Sequence, residues 1–150
     1  MVFGTQAPDT GNAEIIAHYG TPDQKKRYLQ PLLDGEMFSC YSMTEPHAGA
    51  DPTLFKTRAV QDGDEWVING WKYFSSNAKT ASFLIVMAVT NPEISAYQGM
   101  SMFLVPTDTP GVEIVRMAWW MRPPPRRVWA MAKAWPSPPS RASTGTRTSS

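Results

Sequence analysis

The stretch "CYSMTEPHAGAD", residues 40–51, puts a thiol, a phenol, two hydroxyls, two carboxylates and an imidazole within twelve positions. Its first half reads as a β-strand. The residues Phe38, Cys40, Tyr41 and Met43 suit a pleated, half-buried surface, and Pro46 stops the ladder because it has no N–H. In an extended chain Tyr41, Met43 and Glu45 share one face, while Ser42 and Thr44 share the other. The run "HAGAD" that follows turns the chain with small residues, which lets a ligand approach the backbone. A strand end of this kind presents main-chain N–H groups and hydroxyls outward. That geometry suits a flat heteroaromatic ring better than nucleophilic catalysis.

The competing chemistries are weaker on the same residues. Ser42 lacks a GxSxG elbow, and His47 sits five residues away on the same loop, poorly placed as its base. Glu45 beside a proline turn reads as a local hydrogen-bond acceptor rather than a general base. Cys40 is the sole cysteine of the chain, so it forms no internal disulfide, and its apolar neighbours make it a buried bystander. Two histidines 29 positions apart and one cysteine give no metal-ligand spacing. Neither GxGxxG nor GxxxxGK[ST] occurs.

Outward from this stretch, 150 residues suffice for one domain with a core, and a hydrophobic fraction of 42% fits a globular chain. No run reaches the roughly 18 apolar residues a membrane helix needs. Residues 1–11 lack the basic and apolar regions of a secretory signal, and a cytoplasmic protein is expected. On the N-terminal side, "DTGNAEIIAHYG" predicts a helix over 12–19 that stops at Gly20. "TPDQKKRYLQPLLDGE" predicts a second over 22–33, capped by Thr21 and bent or interrupted at Pro31. From Phe38 onward the pattern is β-rich, with strands expected over 39–43, 55–61, 65–75, 83–89, 101–106 and 112–116. "QDGDE" marks a tight hairpin. The run near "VING" marks the strand over 65–75 as the longest and as buried on both sides. Short helices entering a small antiparallel β-barrel give an α+β fold.

Charge is unevenly spread. Seven basic and all thirteen acidic side chains lie in the first 115 residues, and the last 35 carry seven basic side chains and no acid. This C-terminal stretch also holds six of the fourteen prolines and four of the six tryptophans. One reading is a basic, aromatic segment for nucleic acid or an anionic membrane surface. The preferred one is a frameshift product of GC-rich coding DNA. Shifting the frame over residues 128–137 allows Leu-Gly-Asp-Gly-Glu-Gly-Val-Ala-Val, an ordinary segment. Either way, no packed core is expected beyond about Arg116, and residues 117–150 are expected to be a disordered or non-native tail.

A second cluster, "NGWKYFSSN" over 69–77, breaks a strand at Asn-Gly and follows it with aromatics, two hydroxyls and an amide. Alone it reads as an ordinary strand end, or as an aromatic wall with a hydroxyl donor. Together, "YSMTEPHAGAD" and "VINGWKYFSSN" resemble the paired flavin-binding motifs of the acyl-CoA dehydrogenase family. "YGTPDQKKRYLQPLLDGE" is similar to the helix before that family's β-domain, and "MFLVPTDTPGVEI" to the strand and turn after it. The resemblance covers about residues 11–116 and points to the family's larger, long-chain-oriented branch. It implies a remnant of the N-terminal helical domain over 1–36 and the β-barrel middle domain over 37–116.

The resemblance further implies FAD as cofactor and α,β-dehydrogenation of an acyl-CoA thioester as the reaction. Tyr41, Met43 and Thr44 would line the isoalloxazine, with main-chain atoms of Met43 and Thr44 and the Thr44 hydroxyl on its polar edge. Phe74 stands where the family often has Trp, and Ser76 where a Thr hydroxyl reaches flavin N5. Ala50 stands where Ser usually touches the acyl-CoA chain. The proton-abstracting carboxylate belongs to a C-terminal helical domain, so no catalytic residue is assigned here, and the chain is expected to be a fragment inactive alone. An electron-transfer flavoprotein as electron acceptor and a homo-oligomer are the partners implied for full-length members, without nucleic acid or membrane. The alternatives are an oxidase of the same family and a non-catalytic barrel with a basic tail.

Overall fold

The computed structural model describes residues 7–49, 51–115 and 130–134. Helix α1, Asp9–Tyr19, starts one turn earlier than the periodicity predicts and ends at Gly20 as expected. The Asp9 carboxylate explains the earlier start. It accepts hydrogen bonds from the Ser39 main-chain N–H (2.7 Å) and hydroxyl (2.6 Å), while the Asn12 amide donates to the Ser39 hydroxyl (2.8 Å). These bonds, of which the Asn12–Ser39 one is buried, join α1 to the first strand.

The second helical run is continuous but changes its winding. Thr21 and Gln24 form a reciprocal capping box at the start of α2, Pro22–Gln24. A π turn, Lys25–Leu29, leads into α3, Gln30–Leu33. Pro31 has no N–H for the carbonyl four residues back, and its ring crowds that carbonyl. Widening one turn relieves the conflict without ending the helix.

Among the described residues six strands follow: β1 (Ser39–Ser42), β2 (Arg58–Asp62), β3 (Glu65–Asn69), β4 (Phe83–Val89), β5 (Met100–Pro106) and β6 (Ala130–Ala134). They form one sheet in the order β1-β4-β2-β3-β6-β5, with β4 also paired to β5. The mixed α+β class is as expected; the uniformly antiparallel pairing is not. β1 runs parallel to β4, from Ser39↔Phe83 to Ser42↔Val86, and β2 meets β4 in parallel at Arg58↔Val89. Parallel neighbours need a long connection, and the β2–β3 hairpin lies within it. That hairpin turns at Gly63, whose φ of +60° favours glycine.

Double burial belongs to β4 rather than to β3, which runs only from Glu65 to Asn69 and has both ends exposed. Along "FLIVMAV", Leu84, Val86 and Ala88 join Cys40, Ala59, Ile68, Phe103 and Val105 in one apolar cluster. Phe83 and Ile85 face the opposite way and pack with Ile16, Tyr28, Leu32 and Leu104. The Phe83 ring lies 4.9 Å from that of Tyr28, tying the helices to the sheet. A strand covered on both faces reads as a continuous apolar run, and this one does.

One further expectation is corrected. Residues 112–115 form no strand, since both edges of β5 are already taken, by β4 and β6. β6 pairs antiparallel with β3 and β5. The tail's residues 116–129 and 135–150 lie outside the described residues.

Because Phe83 is fully buried between helices and sheet, Phe83→Ala lowers stability by about 3–5 kcal/mol in urea titration of the chain. Val60→Thr, at an exposed position on β2, changes it by no more than about 0.5 kcal/mol.

Candidate functional site

Past Ser42 the chain leaves the ladder, and strict alternation fails at once. Glu45, expected on the face of Tyr41 and Met43, turns inward and is only 4% exposed. Its Oε2 accepts from the Lys56 N–H (2.7 Å), and its Oε1 from the Thr57 N–H (3.0 Å) and from Lys72 Nζ (2.8 Å). Its role as a hydrogen-bond acceptor is thus as expected, at a longer range than "local" implies. It also explains why β2 begins at Arg58 rather than residue 55: the two preceding N–H groups serve the carboxylate, not a neighbouring strand.

Lys72 is the residue that sequence reasoning missed. Its ammonium bonds Glu45 and the Met43 carbonyl oxygen (2.9 Å) and stands 4.3 Å above the Phe55 ring. The only signal was a cation set between Trp71 and Tyr73 in an otherwise aromatic run. Burial works against the Glu45 carboxylate, but the bonds from Lys56, Lys72 and Thr57 outweigh it and hold the carboxyl below its usual range. Burial also pulls the Lys72 ammonium below its usual value, and Glu45 restores only part of that.

The two polar clusters therefore meet. Besides the Lys72 link, the Tyr73 N–H donates to the Thr44 carbonyl oxygen (2.8 Å), and the Ser42 and Ser75 hydroxyls bond each other (2.9 Å). Gly70 makes this approach possible, because a Cβ there would overlap the Thr57 side chain. Beyond it, the rings of Trp71 and Tyr73 lie 5.0 Å apart, and those of Tyr73 and Phe74 lie 5.6 Å apart. Phe74 is 67% exposed and has a φ of +55°, a left-handed conformation rarely taken by a bulky residue. Strain of that kind concentrates at functional sites.

All but one of the residues singled out from the sequence have a definite place. Met43 and Thr44 are half-buried at the end of β1. Neither the N–H nor the hydroxyl of Thr44 has a hydrogen-bond partner among the described residues. Tyr41 packs against the helix-facing cluster, and its hydroxyl approaches Met102 Sδ (3.9 Å). Ser76 is exposed in the turn after Ser75. Ala50 lies outside the described residues. His47 is exposed, and burial pushes the Cys40 thiol up. Among the described residues, no group of three His, Cys, Asp or Glu could hold a metal ion, and no helix is long and apolar enough to cross a membrane.

The model of the acyl-CoA dehydrogenase middle domain matches residues 40–121, more than half of the chain. The chain belongs to the acyl-CoA dehydrogenase family. A probable acyl-CoA dehydrogenase of Mycobacterium tuberculosis is 50% identical over 113 residues, which are 73% of this chain and 28% of that protein. The chain thus spans under a third of this family member's length. Among solved structures, a putative acyl-CoA dehydrogenase from Mycobacterium abscessus matches with a TM-score of 0.74 and 36% identity, over 89% of this chain and 34% of that one. A glutaryl-CoA dehydrogenase from Mycobacterium smegmatis, solved in complex with FADH2, matches with a TM-score of 0.61 and 32% identity, over 84% and 32% of the two chains.

Glu45 contributes stability that is complete above the ordinary glutamate pKa, about 4.3, and is lost as pH falls through its depressed folded value. Glu45→Gln costs about 3–5 kcal/mol at neutral pH, because Lys72 stays buried and uncompensated. The variant also loses this share of the acid dependence, and urea titrations across the acid limb read both effects.

Proposed function

We propose that this chain carries one wall of the FAD site of an acyl-CoA dehydrogenase that oxidises acyl-CoA thioesters between the α and β carbons. The observation that carries the reading is the junction of the two clusters. A half-buried Thr44 with both of its donor groups unbonded among the described residues lies beside a run of three aromatic rings in which Tyr73 contacts both Trp71 and Phe74. That donor set fits the isoalloxazine: a π-surface for the ring plane and main-chain and hydroxyl donors for its polar edge. When bound, FAD supplies the hydride acceptor.

In this reading, the main-chain atoms of Met43 and Thr44 and the Thr44 hydroxyl hold the ring's polar edge. Tyr41 fills the strand face beside it, Phe74 covers the ring, and the Ser76 hydroxyl serves N5. Ala50 would meet the acyl-CoA chain without the hydroxyl usual in the family. The proton-abstracting carboxylate is not assigned to this chain. The succession of pairings from β4 through β2, β3, β6 and β5 back to β4 supports the closed barrel of the family's middle domain. An electron-transfer flavoprotein is the proposed acceptor of the full-length enzyme's electrons.

FAD added to the purified chain is expected to remain with it on desalting, with a flavin visible spectrum. Thr44→Val should weaken that binding up to about tenfold, the loss of one hydrogen bond of up to about 1.4 kcal/mol. No retained flavin at any FAD concentration, or equal binding by wild type, Thr44→Val and Phe74→Ala, overturns the proposal.

A further inference from the structure

Lys72 does more than neutralise Glu45. The carboxylate already takes two main-chain N–H bonds, while the ammonium spends another of its donors on the Met43 carbonyl oxygen at 2.9 Å. That carbonyl belongs to the same peptide unit as the Thr44 N–H. The next carbonyl, that of Thr44, accepts the Tyr73 N–H at 2.8 Å. The Thr44 N–H, unbonded among the described residues, therefore lies between two carbonyls, one loaded by Lys72 and the other by Tyr73. Hydrogen bonds in such chains polarise one another, and a charged donor does so most strongly.

We propose that Lys72 is a positioning residue that sets the donor strength of the Thr44 N–H and, through it, the reduction potential of a flavin held at the end of β1. The inference rests on the flavin reading above. A carbonyl bonded to an ammonium withdraws electron density across its peptide, which makes the attached N–H a stronger donor. On reduction two electrons and one proton enter the isoalloxazine, and negative charge gathers on its polar edge. A stronger donor there favours the reduced form over the oxidised one. Glu45 cancels most of the ammonium's charge at longer range, so the effect runs through the shared peptide rather than through space.

A purely structural role for Lys72 predicts something different. Loosening the strand end weakens oxidised and reduced flavin alike and leaves the potential where it was. Polarisation predicts a differential loss.

The test compares the full chain with Lys72→Met and Lys72→Arg, each loaded with FAD. Affinity is measured for the oxidised flavin and for the dithionite-reduced flavin, and the potential by dye-coupled reductive titration. The expected result is that Lys72→Met binds reduced flavin several-fold less well than its loss for oxidised flavin accounts for, with a more negative potential. Lys72→Arg, which keeps the charge, stays near wild type. Lys72→Gln retains an N–H donor for Glu45 and replaces the Met variant if that one does not fold. Equal losses for the two flavin states, with an unchanged potential, overturn the inference while leaving the flavin site standing. A wild-type chain that captures no flavin overturns the flavin reading, and this inference falls with it.

Discussion

A single buried ion pair sets the geometry of everything at the upper end of the sheet. Glu45 and Lys72 meet at 2.8 Å with their side chains 5% and 9% exposed. Removing two charges from water is unfavourable unless further hydrogen bonds complete their shells. Here the shells are completed by main-chain groups: the Lys56 and Thr57 N–H groups for the carboxylate and the Met43 carbonyl for the ammonium. The pair therefore fixes three backbone segments at once, the exit of β1, the entry to β2 and the exit of β3. A buried pair of similar volume made of apolar groups would fill the space but would leave those main-chain groups unpaired.

Beneath this junction, β4 supplies the platform. Its alternate residues face two separate apolar clusters, so the sheet and the helices share one strand as common core. β1 docks along β4 while its far end reaches the ion pair, and the position of Thr44 is thereby set from two sides. The aromatic run from Trp71 to Phe74 is held in turn by the Tyr73 bond to Thr44.

Legibility followed the range of the interactions. Capping at Thr21, the stop at Gly20 and the hairpin at Gly63 rest on neighbours in sequence, and each was readable from them. The strand over 83–89 was placed to the residue, yet its double burial was credited to the β3 region, because an apolar run does not state what covers it. The truncation of β2 and β3 was hidden for a physical reason: Glu45 intercepts two N–H groups from 11 and 12 residues away, and Gly70 is drawn against Thr57. The two site motifs were legible as motifs. Their joining agent was not, since a lysine in an aromatic run carries no mark of a glutamate 27 positions earlier.

The parallel pairing of β1 with β4 has a consequence for the order in which the fold is assembled and undone. Ser39–Ser42 and their partners Phe83–Val86 are separated by the whole β2–β3 hairpin and its flanks. Closing a loop of that length is unfavourable until the hairpin has shortened it. Contacts of such separation also sit among the first to be given up in partial opening when few neighbours replace them. The strand that bears the site is thus a late addition to the β2–β3 and β4–β5 hairpins, and its amides at Cys40 and Ser42 report that lateness in hydrogen exchange relative to those of Leu104 and Val105.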